Sequence, residues 1–475
     1  MTQPWEIENF LGIKNGRLHV DDVDMVELAH QHETPLFVFS ESRIRYNIAR
    51  LQKAGDAIDC PLKVCYAAKA MSTMGILKAV RDADCDIEVN SGGELWKALR
   101  VGFRGDQIIF NGTGKEVWEI ENAINAEIYA IQVDSLYELS LILDCSIRLG
   151  KKANVSLRLV PEIESDTHSG LQTALLTSKF GMMPEEAFAA FREYKDSPHL
   201  DLCGVHLHVG SQNPDPVVYA EAIEMLFASL LRIYTETGIS LKHINLGGGF
   251  PVNYLRIENS DADFPEEQRQ MLAADFEPSL AIKQAWEAVK TSAAFADASH
   301  LLENLTLLLE PGRSIISDAA VCLTTVRNAK TRPVAQIAPG ETGSEPQSDH
   351  WLLTDAGFNI LLSMETYKWY YHLISAERAD EEPTFPYKVA GPLCDGGDVY
   401  FDIEGERLPS HRLLPPDLKP GDILALLNCG AYSLAQASQY NGRFLPAVIL
   451  IRDDGKAELI RRRDDFDDLI ASDIY

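Results

Sequence analysis

Between residues 64 and 310, short apolar, β-rich runs alternate with longer stretches whose apolar residues recur at helical spacing. Eight runs predict strands: VCYAA (64–68), IEVNS (87–91), IIFN (108–111), YAIQVD (129–134), NVSLRLV (154–160), LCGVHLH (202–208), HINLG (243–247) and LTLLLE (305–310). Stretches between them, such as MGILKAVRDA and GELWKALRVG, predict crossover helices. Strand–helix alternation implies a parallel sheet, and eight units in roughly 250 residues is the size of a (β/α)8 barrel. Two segments interrupt the alternation. Residues 161–183 predict a long polar loop, and 251–300 carry an acidic stretch followed by a helical pattern. After about residue 314 the character changes. VCLTTVRNA, HWLLTDAGF, YKVAGPL, DILALLN and AVILIRDDGKAELIRR predict strands joined by turns, a separate C-terminal β-sandwich or β-barrel domain. The expected division is a lead-in at 1–40, ending in PLFVFS and joined to the β domain, a barrel at 41–313, and the β domain at 314–475.

Polar residues stand at or just past the ends of the barrel runs: Lys69, Ser91, Asn111, Asp134, Arg158, His208, Gly247 and Glu310. Barrel enzymes place their chemistry on that face. Strand ends are polar in any fold, so the residue types must decide. Lys69 ends YAAKA. A lysine after an apolar run is usually a solvated surface group, but in a barrel mouth it is expected to be partly buried, which activates the amine for Schiff-base chemistry. GGGF (247–250) follows a strand, and Gly247, Gly248 and Gly249 can turn backbone N–H groups toward an anion. It is neither GxGxxG nor a Walker loop, so a single phosphate ester fits better than a dinucleotide or triphosphate. In HLHVGSQ, His206 is expected to pack behind the barrel and His208 to face the mouth, where it can stack on a flat ring; the pair does not read as a metal site. Ser211 can donate to phosphate. EPGR places Glu310 beside Arg313; blandly this is a local ion pair, and functionally it is a carboxylate that keeps a heteroaromatic nitrogen protonated. Cys394, flanked by Pro392, Asp395, Gly396 and Gly397, predicts an exposed tight turn rather than a core thiol.

Charge narrows the partners. With 71 acidic and 43 basic residues the formal charge is −28, which argues against nucleic acid and anionic membrane surfaces. No apolar run approaches the roughly 20 residues of a membrane span. The 8 cysteines are scattered without CxxC spacing, so reduced thiols and a cytoplasmic location are expected.

A lysine, a glycine-rich anion site, a stacking histidine and a ring-facing carboxylate together suggest pyridoxal phosphate. The motifs YAAKA, NSGGEL, SKFG, HVGSQ, GGGF, EPGR, CDGGD and GAYS, in that order, resemble the fold-type III pyridoxal-phosphate decarboxylases, the diaminopimelate and ornithine decarboxylase family. The resemblance covers nearly the whole chain and implies an alanine-racemase-like barrel with a C-terminal β domain. It implies that Lys69 forms the Schiff base with the cofactor, His208 stacks on the ring, and Glu310 faces the pyridine nitrogen, with Glu88 near the ring. It places Ser211, Gly247, Gly248, Gly249, Gly312, Arg313 and Tyr432 around the phosphate. Cys394 enters from a neighbouring subunit as the proton donor, so a homodimer is implied. Arg313, Tyr367, Cys394 and Asp395 contact the substrate.

The chain departs from the diaminopimelate pattern in three places. Ser363 stands at the position of the arginine that follows the Asp-Ala-Gly motif, here DAGF at 355–358. Cys394-Asp395-Gly396 replaces Cys-Glu-Ser, and Glu88 replaces an aspartate. A distal carboxylate without its cation costs several kcal/mol, so a basic diamino acid of the lysine or ornithine type is expected. The CDGGD turn and the RRRDDFDDLIASDIY ending are most like the D-ornithine/D-lysine decarboxylase branch, which points to a D-configured substrate and a diamine product. The alternatives are a diaminopimelate decarboxylase making L-lysine, and a non-catalytic regulatory homologue, which the presence of both Lys69 and Cys394 argues against.

Overall fold

The computed structural model describes residues 3–160, 179–256, 264–333 and 348–474. The predicted loop at 161–183 and the acidic stretch beginning at 257 fall in large part outside these residues. The chain divides into two compact units, one of residues 44–252 and 274–315, the other of residues 1–43, 253–273 and 316–475.

The first unit is a closed parallel barrel. Its strands are Leu62–Ala67, Asp86–Val89, Ile108–Phe110, Ala130–Val133, Ala153–Arg158, Leu200–His206, His243–Asn245 and Thr306–Leu309. Thr306–Leu309 pairs with Leu62–Ala67, which closes the ring. Helices between strands pack apolar faces inward, as with Ile76, Leu77, Ala79 and Val80 of Met74–Asp82. Their starts are fixed by residues just past the strand ends. Ser91 Oγ accepts from the Glu94 N–H at the head of Gly92–Val101, and Ser135 Oγ accepts from the Glu138 N–H at the head of Leu136–Leu149. Short strands capped in this way hand each polar residue to the same rim.

The second unit is the expected C-terminal β domain, built on a mixed nine-stranded sheet. Along its main path lie Arg412–Leu414, Phe385–Ala390, Ser348–Thr354, Ala320–Pro333, Leu36–Ser40, Ala447–Ile451 and Ala457–Arg461. Ile423–Leu427 pairs with Ala320–Pro333 and with Leu373–Ser375. The run PLFVFS forms an interior strand, antiparallel to Ala320–Pro333 and parallel to Ala447–Ile451. Leu18, Met25, Val38, Leu323, Ala425 and Ile449 belong to the core of this unit. The long strand Ala320–Pro333 bends past residue 326, where its register shifts and its side chains become exposed.

Candidate active site

The polar ends of the barrel strands converge on a buried carboxylate. Glu310, directly after the last strand, is 7% exposed. Its Oε1 accepts from Asn245 Nδ2 at 2.7 Å and its Oε2 from Asn111 Nδ2 at 2.8 Å. Asn111 Nδ2 also donates to Glu88 Oε1 at 2.8 Å, so one amide bridges two buried carboxyl groups. Burial, the neighbouring Glu88 charge and the weaker opposition of the two asparagines and Lys69 push the Glu310 pKa from 4.5 up to about 7. Among the described residues its one ion-pairing neighbour is His206, with Nε2 at 3.6 Å from Oε2. Burial and the neighbouring Arg158, His208 and Lys69 hold that imidazole well below its ordinary pKa.

His206 therefore corrects an expectation. It does not pack behind the barrel. Residues two apart on a strand share a face, so His206 is on the inner side, as is the position of His208 beyond the strand end. His208 is half-buried, and the Gly248 N–H donates to its Nδ1 at 3.1 Å. A backbone N–H can only donate, so this bond places the ring proton on Nε2. Burial and the positive charges of Lys69 and Arg158 keep the ring neutral.

Lys69 corrects a second expectation. It sits on the single turn Ala68–Ala70 after the first strand and is exposed, not partly buried. The turn carries its side chain out of the strand's packed layer, while Ala68 and Ala70 remain buried. It still lies within electrostatic reach of Glu94, Glu310, His206 and His208.

The glycine turn is pressed against its surroundings. A Cβ on Gly248 would stand 2.3 Å from the Glu310 carbonyl oxygen, and one on Gly249 2.2 Å from the Gly210 carbonyl oxygen. Any side chain would force the turn away from both. Two of its N–H groups are used within the chain, Gly247 to Asn245 Oδ1 and Gly248 to His208. Arg313 is buried, with Nε and Nη2 donating to Ser211 Oγ at 3.4 and 3.3 Å. Gly312 packs beside Ala67 and Ala70 on the first strand and its turn.

The barrel thus brings together Lys69, Glu88, His208, Ser211, Gly247, Gly248, Gly249, Glu310, Gly312 and Arg313. The other four predicted residues belong to the β unit. Cys394 and Asp395 lie on an exposed turn, and Tyr367 and Tyr432 are half-buried. Tyr432 holds a left-handed backbone, φ 55°, which costs a non-glycine residue energy. Sequence reasoning missed Asn245, although its place two residues before Gly247 on a strand marks it as inward-facing. It also gave Arg158 no role. That guanidinium is buried, lies over the Phe180 ring at 4.4 Å, and acts electrostatically on Glu88 and Glu310.

Residues 42–317 match the family described as pyridoxal-dependent decarboxylase, pyridoxal binding domain. The chain belongs to this family. It is similar to the diaminopimelate decarboxylases of Aquifex aeolicus, at 30% identity over 98% of this chain and 97% of that one, and of Methanothermobacter thermautotrophicus, at 33% over 96% and 95%. The crystal structure of diaminopimelate decarboxylase from M. jannaschii in complex with L-lysine superposes with a TM-score of 0.82 at 30% identity, covering 100% of this chain and 99% of that one. These relatives back the diaminopimelate alternative better than the lysine- or ornithine-type reading. They lend no support to a D-ornithine/D-lysine branch.

As a pyridoxal-dependent decarboxylase the chain is a carboxy-lyase that uses pyridoxal phosphate, and its barrel residues fit that group. Glu310 has two neutral amide donors and an uncharged imidazole around it, but no cation within ion-pair distance among the described residues. A protonated pyridine nitrogen would supply the missing partner. Glu88 Oε2 and Asn111 Oδ1, both buried, have no hydrogen-bond partner.

Proposed function

We propose that the protein decarboxylates meso-diaminopimelate to L-lysine. The observation that carries this reading is the likeness to diaminopimelate decarboxylases along almost the whole of both chains. Bound at the barrel mouth, pyridoxal phosphate supplies an electron sink for cleavage at the substrate α-carbon. Lys69 would hold the cofactor through its side-chain amine. Glu310, steadied by Asn111 and Asn245 and flanked by Glu88, keeps the ring nitrogen protonated. His208, neutral and fixed by Gly248, supports the ring face. Ser211, Gly247, Gly248, Gly249, Gly312, Arg313 and Tyr432 receive the phosphate. Arg313, Tyr367 and Asp395 orient the substrate, and Cys394 delivers the proton to the α-carbon after CO2 leaves.

We further propose a homodimer in which Cys394 serves the neighbouring copy's barrel. A cytoplasmic location is supported by the cysteines, all of them free thiols and all but Cys394 buried. Among the described residues no helix is long and apolar enough to cross a membrane.

Ser363 and Asp395 favour a second reading, a lysine- or ornithine-type diamino acid. Ser363 is buried where the family's arginine is expected, and the exposed Asp395 offers a distal ammonium a partner. A unit-charge pair about 4 Å apart is worth roughly 4 kcal/mol at an effective dielectric near 20, before desolvation. Product analysis decides between the readings. With meso-diaminopimelate and both enantiomers of lysine and ornithine as substrates, the first expects L-lysine to form with the highest kcat/KM. Faster turnover of any diamino monocarboxylate overturns it in favour of the second.

A further inference from the structure

The turn that carries Cys394 presents its tip to solvent. Cys394, Asp395 and Gly396 are exposed, and Gly396 and Gly397 give the backbone wide freedom. A proton donor that must choose between two carbons of one conjugated system needs a fixed position. What fixes the turn is its own last residue, Asp398, together with side chains from elsewhere in the β unit. Asp398, 2% exposed, accepts from the Leu393 N–H at 2.8 Å and from the Phe358 N–H at 2.9 Å. Arg443 Nη2 donates to the Pro392 carbonyl at 2.9 Å. These bonds anchor the entry to the turn. Cys394 itself is reached by Asn441, whose Oδ1 accepts from the Cys394 N–H at 2.7 Å. The next residue is held by Asn441's neighbour, since Tyr440 Oη donates to Asp395 Oδ2 at 3.2 Å while the Gly397 N–H donates to Asp395 Oδ1 at 3.0 Å. The Tyr440 ring stacks on Phe358, with centroids 5.9 Å apart and planes 18° apart.

Asn441 has φ 57° and ψ 23°, a left-handed backbone. Asparagine is among the few side chains that tolerate this conformation and also present an acceptor. The residue type thus meets two demands at once: the tight turn after Tyr440, and an acceptor aimed at the Cys394 amide.

We infer that Asn441 is a positioning residue for the proton donor, locking the Cys394 backbone so that its thiol delivers to the α-carbon alone, with Tyr440 holding Asp395 in the same clamp. The inference rests on the reading of Cys394 as that donor. A proton sent to the wrong carbon leaves the substrate's amino group on the cofactor and, after hydrolysis by water, frees an aldehyde in place of the amino product.

The test is the partition between amino product and aldehyde in the holoenzyme, with loss of cofactor absorbance as a second readout. Asn441→Gly keeps the left-handed backbone free of strain and removes the acceptor together with the side chain's hydrogen bond to Tyr440. It is expected to raise the aldehyde fraction about tenfold at nearly unchanged KM and Tm. Asn441→Asp keeps both acceptor and backbone, and is expected to restore most of the wild-type partition. Adding Asn441→Gly to Cys394→Ala should change nothing further. A wild-type partition in Asn441→Gly, or an Asn441→Asp as defective as Asn441→Gly, overturns the clamp. If Cys394→Ala itself retains the wild-type partition, the donor reading falls and the clamp with it; if Cys394→Ala shifts and Asn441→Gly does not, the clamp alone fails.

Discussion

Glu310 binds a proton more tightly in the fold than in an unfolded chain, and this has a measurable cost. Its pKa rises from 4.5 to about 7 because it is buried beside Glu88. Between those values the folded state carries more protons than the unfolded one, so stability falls as pH rises through the window. The group's contribution is fully present below pH 4.5 and lost above about 7. For cofactor-free protein, Tm should drop from about pH 5 to 8, with a loss of folding free energy bounded at ~3 kcal/mol. Glu310→Gln should flatten that slope, and pyridoxal phosphate should flatten it in the wild type by bringing its own proton to the carboxylate. An equally steep slope in Glu310→Gln removes Glu310 as the cause. The identity and rim position of this residue were legible in EPGR. Its protonation was not, because it depends on Glu88, Asn111 and Asn245, which come from three other strands. The same holds for His206, whose side of the barrel becomes evident once its distance to Glu310 is known.

At the scale of elements, the barrel strands announce themselves as apolar runs ending in polar residues, and all eight form where expected. What the pattern hides is how loops are tied to their neighbours. Lys115, just beyond strand Ile108–Phe110, has a side chain 1% exposed. It donates to the Gly112 carbonyl at 2.6 Å, the Gln132 carbonyl at 2.8 Å and Glu138 Oε1 at 2.6 Å. One ammonium thus joins a loop, the next strand and the first turn of helix Leu136–Leu149. In the sequence it is one more lysine in a glycine-rich stretch. Lys115→Met leaves Glu138 buried and unpaired and should cost about 3 kcal/mol in denaturant unfolding. The double variant Lys115→Met/Glu138→Leu should recover much of the loss, since a dry apolar pair replaces a stranded charge. A double variant as unstable as the sum of the two single ones refutes this account.

At the scale of the whole molecule, the proposed dimer makes a prediction that no single chain can test. Lys69→Ala and Cys394→Ala protomers are each expected to form little amino product. If each barrel draws its cysteine from the other copy, a mixed dimer contains one site free of both changes. Mixing the two proteins after mild dissociation should restore activity that neither has alone. No restoration, with exchange verified by labelled protomers, counts against a shared site. The β unit resumes at residue 316, and the segment 253–273 clusters with it although it lies within the barrel's span of sequence. Periodicity does not foretell which strands pair in the sheet. Pairings such as Leu36 with Leu323 and Ala447 join residues hundreds of positions apart and leave no local trace.

Strand Leu36–Ser40 has a consequence for the order of events during synthesis. Its two partners, Ala320–Pro333 and Ala447–Ile451, are translated after the entire barrel. The segment LFVFS, with every residue buried in the finished protein, leaves the ribosome early and waits as an unpaired apolar strand with both edges open. Such a segment is an aggregation hazard while it waits. The barrel can close around its own local contacts in that interval, whereas the β unit completes only when the last strands emerge. A chain stopped before Ala447 leaves one edge of Leu36–Ser40 bare, so an error at the end of translation is felt at the residues made first.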